Sequence, residues 1–276
     1  MNPQWADGIA TESGSAGRAL AGAVAGELTK IRSLRSTLWT LAAAVLVSGG
    51  LGYLVGLSFA AGFDRLPAEQ RERFDPLFAT FYGLTLGQLA LVVFAVLAVT
   101  GEYGSGMIRA SLAAVPRRGT FYAAKLAAVA ASLAAVALVT VAVTFAAAQA
   151  SLGPHRTTPG AAGVPTAVAG AFLYLVLIGL FAFGVGAMLR STVLALVVLL
   201  PLLFLGSQGL GNVPGLRTVL QYLPDQAGAV IMHLTGPAGD PRFGRDFGPW
   251  TGLGITALWT AAALLGGYLV LRRRDA

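Results

Sequence analysis

An all-α polytopic membrane protein is the fold this sequence predicts, on three observations. Hydrophobic residues make up 56% of the chain and charged residues 11%, against about 25% charged in soluble globular proteins. Six apolar runs reach or approach membrane-spanning length, since a helix of about 20 residues at about 1.5 Å each crosses a hydrocarbon core about 30 Å thick. The basic residues collect on one side of those runs. None of the runs shows the period-2 alternation of barrel strands, so each satisfies its backbone hydrogen bonds as a helix.

The first 17 residues, MNPQWADGIATESGSAG, are polar and carry no basic patch ahead of a short apolar core. No cleaved signal peptide is therefore expected, and residues 1–17 read as a disordered tail. Residues 18–276 read as a single transmembrane domain. Leu20, Val24, Leu28, Ile31, Leu34 and Leu38 then recur at helical spacing, with Glu27, Lys30, Arg32 and Arg35 largely elsewhere around the helix. Such a helix lies flat at the membrane interface. Two roles fit it: a lever that touches a soluble partner, or an anchor that sets topology.

The six spans are placed at about 38–59, 78–100, 126–150, 168–189, 193–210 and 250–271. Ala123, Ala124, Ala127, Ala128, Ala130, Ala131, Ala134 and Ala135 crowd the start of the third, and small side chains let helices approach closely in lipid. Burial within the bundle is expected for that span. The fifth is bulky and apolar all round, with Pro201 inside it, and is expected to face lipid or a second subunit. Gly52 and Gly56, like Gly83 and Gly87, have helix-association spacing, but 36 glycines in 276 residues give about five such pairs by chance. Between the last two spans, residues 216–234 read either as short helices broken at Pro224 or as a surface loop.

Between the second and third spans lies GEYGSGMIRASLAAVPRRGTFYAAK, residues 101–125. Glu102 and Tyr103 mark the membrane edge, and Gly104 and Gly106 permit a turn. Ile108, Leu112 and Val115 put an apolar stripe on a short helix that Pro116 ends. Arg109, Arg117 and Arg118 accompany it, and Lys125 sits where the next span leaves the headgroup layer. Glu102 has two readings: it caps or pairs within this loop, or it marks a helix end at the headgroups.

With six helices, both termini and the 101–125 loop share one side. That side holds twelve of the 19 Lys and Arg and five of the 12 acids, and so carries the whole net charge of +7. Lys and Arg are retained in the cytoplasm, which places the termini and this loop there. The basic excess thus reports topology and anionic lipid; no basic groove with interleaved aromatics points to nucleic acid.

Several chemistries lack their residues. Cysteine is absent, which removes thiol chemistry and disulfides. His155 and His233 fall in separate outer loops without a carboxylate at ligand spacing in sequence, and Ser207 has no base beside it. The spans contain no Asp, Glu, Lys, Arg or His, which disfavours an ion-coupled secondary transporter or a charged channel. Gln88 and Gln149 are their polar exceptions and read as interhelical hydrogen-bond groups.

The series Glu102, Gly106, Pro116, Arg118 and Lys125 resembles the loop after the second transmembrane helix in permease subunits of type-2 ABC transporters. There a glutamate begins a turn, and a proline with basic residues closes the coupling helix. GELTKIRSLRSTLWTL, residues 26–41, is similar to the interfacial entry helix of actinobacterial members, and the outer segment with YLPDQAGAVI, residues 222–231, also fits.

That resemblance implies a permease of an ATP-driven exporter in the bacterial plasma membrane, both termini cytoplasmic. It implies a second permease subunit and a separate ATPase subunit that binds ATP and Mg and docks on Glu102, Gly106, Arg109, Pro116, Arg117 and Arg118. The interfacial helix, with Glu27, Lys30, Arg32 and Arg35, would be a further contact. No cofactor is expected on this chain. The only lysines, Lys30 and Lys125, follow LT and AA, so there is no phosphate loop and no expected ATP hydrolysis by the chain itself. The alternative from another class is a non-transporting membrane accessory or immunity protein.

Overall fold

A computed structural model describes residues 4–104, 106–115, 117–236 and 243–273. Its helices, in chain order, are α1 (Gln4–Ser33), α2 (Arg35–Gly62), α3 (Ala68–Glu72), α4 (Pro76–Phe81), α5 (Leu84–Gly104), α6 (Met107–Ala114), α7 (Arg118–Leu152), α8 (Val164–Leu189), α9 (Thr192–Ser207), α10 (Arg217–Leu220), α11 (Pro224–Ala229) and α12 (Pro249–Arg273). The protein is all-α, with five apolar stretches long enough to cross a membrane: Arg35–Arg65, Pro76–Gly104, Arg118–His155, Val164–Leu189 and Pro249–Arg273. It is a multi-span helical membrane protein.

Four features differ from the sequence expectations. Helical backbone is described from Gln4 onward, within the segment read as a tail. The apolar stripe read from Leu20 to Leu38 is not one helix: α1 ends at Ser33 and Leu34 is extended (φ −88°, ψ 111°), so Leu38 belongs to α2. The span placed at 78–100 is two helices, α4 and α5, separated at Tyr82 and Gly83. The span placed at 193–210 stops at Ser207; its 16 residues cover about 24 Å, short of a full crossing.

α5 and α8 form the centre. Within an 18-residue apolar stretch of each span, 67% of residues are buried for α4–α5 and 56% for α8, but only 33% for α7. The expected burial of the Ala-rich helix is therefore corrected. Its small residues do face a neighbour, since Thr144 and Ala148 lie buried in the seam with α2, but Leu138 and Val139 point outward. Small side chains set how closely two helices approach, and they do not require a helix to be enclosed on all sides.

The two glycine pairs are contacts. A Cβ on Gly56 would overlap Ser151 of α7, and one on Gly87 would overlap Ser48 of α2. α2 is thus sandwiched between α5 and α7 at backbone distance. Gln149 donates to Thr80 Oγ1 at 2.7 Å and Tyr174 donates to Gln88 Oε1, so both spanning glutamines make interhelical bonds. α9 continues through Pro201 and exposes Val193, Leu194, Val197 and Val198.

The segment before α12 folds back against the bundle. Pro224 starts α11 at its first turn, where its missing N–H costs nothing. Thr256 of α12 donates to Pro224 O at 2.8 Å and Trp259 Nε1 to Tyr222 O at 2.8 Å, which fixes the segment on α12. Asp75 caps α4 by accepting from Leu77 N at 2.8 Å, and its other oxygen lies 2.6 Å from His233 Nδ1. His233, expected to lack a carboxylate, thus has one from a distant loop. Burial alone would raise the Asp75 pKa, but the bond to His233 and those to backbone N–H outweigh it and hold the pKa below its usual value.

Candidate functional site

Four charged side chains from three helices meet where α1, α5, α6 and α7 converge. On α1, Glu27 lies three residues after Val24 and four before Ile31, which puts it on the apolar stripe rather than on the polar face. On α5, Glu102 follows Ala95, Ala98 and Val99 at the same spacing; on α7, Lys125 stands between Phe121 and Val129. All three therefore turn inward.

The Lys125 ammonium donates to Glu27 Oε2 at 2.6 Å and to Glu102 Oε1 at 2.9 Å. Lys30 donates to Glu27 Oε1 at 2.7 Å, to Glu102 Oε1 at 2.9 Å and to Ser111 Oγ of α6 at 3.3 Å. Two carboxylates and two ammonium groups balance in charge. The side chains of Lys125, Glu102 and Glu27 are 5%, 9% and 10% exposed, and that of Lys30 39%. Burial pulls the Lys30 pKa down, but its bonds to Glu102 and Glu27 outweigh that and hold it above the usual lysine value.

Such a network is costly to break, because removing one member strands a partner charge away from water. It ties α1 to the ends of two long helices and, through Ser111, to α6. Lys125 was expected at the headgroups and is instead inside. One oxygen of Glu102, Oε2, is buried without a hydrogen-bond partner among the described residues.

α6 itself forms as its sequence predicts. Gly106 adopts φ +71°, a left-handed conformation open to glycine, and turns the chain out of α5. Ile108 is buried while Leu112 and Val115 pack against the core. Pro116 lies outside the described residues.

The basic residues divide into two groups. Arg118 Nη1 donates to Leu271 O at 3.0 Å and Arg272 O at 3.2 Å, and Arg190 Nη2 donates to Val270 O at 3.0 Å. Both guanidinium groups thus satisfy the terminal carbonyls of α12, where a cation also complements the helix dipole. Arg190 further lies 5.2 Å from the Tyr103 ring centre. By contrast, Arg32, Arg35, Arg109 and Arg117 are exposed. Of the residues expected to face a partner, Arg118 is committed inside the chain, and Glu102, Glu27 and Lys30 are joined to one another.

A second polar cluster was not visible in the sequence. At the opposite end of the bundle Asp225 is 3% exposed, held by Gln226, whose Nε2 donates to Asp225 Oδ2 at 2.8 Å and to Gly206 O at 2.7 Å. Burial pushes the Asp225 pKa up to about 6 against the opposing pull of Gln226. Asp225 Oδ1, Asn212 Oδ1 and Arg245 Nε are buried without partners among the described residues, and all three residues border one cavity of about 40 Å³. That is room for about three waters, each needing about 10–15 Å³. The sequence matches no protein-family model and no curated protein.

Proposed function

We propose that this chain is the membrane-spanning subunit of an ATP-driven exporter of the type-2 ABC class, working as a permease dimer with a separate ATPase subunit. The observation that carries the reading is the Glu27–Lys30–Glu102–Lys125 network. Force applied to α6 would reach α1, α5 and α7 together, because Ser111 and Glu102 share Lys30. A motor acting on a pore needs such a stiff connection, since a ligand moves an equilibrium only through states it distinguishes.

In this reading α1, α6 and both termini lie in the cytoplasm of a bacterial plasma membrane. α6 is the coupling helix, and α9 with its outer return completes a sixth membrane element. The exposed Arg109 and Arg117 face the ATPase subunit, which supplies ATP and Mg chemistry. The apolar face of α9, with Val193 and Val197, suits a second permease subunit. Co-purification of an ABC ATPase with the wild-type chain, lost in Arg109→Glu/Arg117→Glu, is the expected outcome. Equal recovery with the double variant removes the docking assignment.

One observation favours a second reading. Asp225, absent from every apolar run, folds against the bundle, and burial raises its pKa to about 6, which suits a carboxyl that exchanges a proton during transport. Transport that follows a proton gradient and stops in Asp225→Asn, with no ATPase present, would select it.

A further inference from the structure

The four charges of the network divide into two neutral halves. Glu27 and Lys30 both belong to α1 and are bonded to each other at 2.7 Å. Glu102 of α5 and Lys125 of α7 are bonded at 2.9 Å. Among the described residues, three bonds cross from α1 to the other half and to α6: Lys125 to Glu27, Lys30 to Glu102, and Lys30 to Ser111 Oγ. Removing a single member strands a charge, but withdrawing α1 whole strands none, because each half keeps an ion pair of its own.

The rest of α1 is held loosely. Among its described side chains Glu27 alone is buried, while Val24, Leu28 and Ile31 are half-buried. A Cβ on Gly22 or Gly26 would meet nothing within 4 Å, whereas one on Gly56 or Gly87 would overlap a neighbouring helix. α1 lies chiefly along α7 and is joined to α2 through Leu34, an extended residue with no side-chain cap. Under that elbow, between Ile31, Leu34, Phe94 and Leu97, about 430 Å³ is unfilled. Close-packed interiors contain few voids larger than a water molecule, so α1 is not packed home at its C-terminal end.

We propose that α1 is a detachable clamp that swings about Leu34 between a docked and a released state. Docked, it bonds to Ser111 of α6 and to the ends of α5 and α7, as the structure shows. Released, Glu27 and Lys30 leave together as a pair, Glu102 and Lys125 stay together, and the stripe of Val24, Leu28 and Ile31 rests on the bilayer interface. Leu34 is the hinge, because one or two residues at an element end absorb the backbone rotation of such a movement. The clamp sets whether α6 and the long helices move as one body. It rests on the geometry of the network and on no ATPase partner, so it stands or falls apart from the proposed transport function.

The test uses the full chain in lipid nanodiscs, with spin labels on Ala21→Cys of α1 and Leu138→Cys of α7 and the distance between them read by double electron–electron resonance. Both positions are exposed, and the chain has no cysteine of its own. Ala21 stands about 20 Å along α1 from Leu34, so a swing of about 30° moves it about 10 Å. Two distances are expected with the network intact. Glu27→Ala/Lys30→Ala removes the α1 half and leaves Glu102 with Lys125; it should cut the docked fraction about tenfold, the size of one charge-assisted hydrogen bond. A second label pair, Leu138→Cys with Leu258→Cys of α12, should keep one distance in both proteins. A single docked distance with the network intact overturns the proposal, whether or not the variant frees α1. An unchanged docked fraction in the variant overturns it as well, and so does broadening of the α7–α12 pair, which would make α1 part of the bundle's fold and not a clamp upon it.

Discussion

Lys125 of α7 and Glu27 of α1, 98 residues apart in sequence, are joined by a 2.6 Å ion pair inside the protein. A buried pair of this kind is defined less by the stability it adds than by the penalty for splitting it. Lys125→Met is therefore expected to destabilise the fold by about 3–5 kcal/mol, because two carboxylates lose a counter-charge. Adding Glu27→Gln leaves Lys30 with Glu102, a balanced pair, and should recover more than half of the loss. Thermal or denaturant unfolding in detergent of the two single variants and the double variant gives the coupling directly.

Asp225 gives a pH dependence of definite sign. Its folded pKa, about 6, lies above the ordinary 3.8, so the folded state holds a proton that the unfolded state has released. The stability this confers is complete below pH 3.8 and is lost as pH rises through about 6, up to about 3 kcal/mol in all. Asp225→Asn removes that slope. Unfolding midpoints of wild type and variant should diverge between pH 4 and pH 7, in favour of the variant at the higher pH; parallel curves would show that Asp225 titrates normally.

Arg118 and Arg117 are neighbours with different work. Arg118→Ala strips hydrogen bonds from the last carbonyls of α12 and is expected to cost about 1–3 kcal/mol, together with faster hydrogen exchange at residues 268–273. Arg117→Ala, at an exposed side chain, should stay within about 0.5 kcal/mol of wild type. The comparison separates a residue that holds the bundle from one free to meet a partner.

Two glycines in α2 and α5 predict opposite outcomes. Gly87→Ala places a methyl group against Ser48 Oγ and Ala44 O, and overpacking of that kind costs about 1–3 kcal/mol. Gly50→Ala meets open space and removes a helix-interior glycine, so it should gain up to about 1 kcal/mol. Melting of the two variants beside wild type decides whether α2 and α5 touch at backbone distance.

The fold class was legible because hydrophobic length and helical period are local properties. α6 and its Gly106 turn were legible for the same reason. Where sequence reading fell short, the deciding contacts join distant parts of the chain. Glu27 was assigned to the polar face by its charge, although its spacing from Val24 and Ile31 already put it on the buried one. Lys125 was placed at the headgroups by the same preference for solvating charge, yet it follows Phe121 by four residues on an inward face. The length of α9 was overread, because the run was carried across Ser207, Gln208 and Gly209 to Leu210, where the helix has already ended. Asp225 gave no local signal, since nothing near it announces that residues 222–231 fold back onto α12.

The account stands most directly on which side of the membrane α6 occupies. The chain has no cysteine, so single cysteines placed by Arg109→Cys on α6 and by Val219→Cys on exposed α10 report without background. In intact cells a membrane-impermeant maleimide should label Val219→Cys alone, and Arg109→Cys should react only with a permeant reagent or after the membrane is inverted. Labelling of Arg109→Cys from outside intact cells would put the network and α6 beyond the reach of any cytosolic ATPase, and would contradict the proposed function.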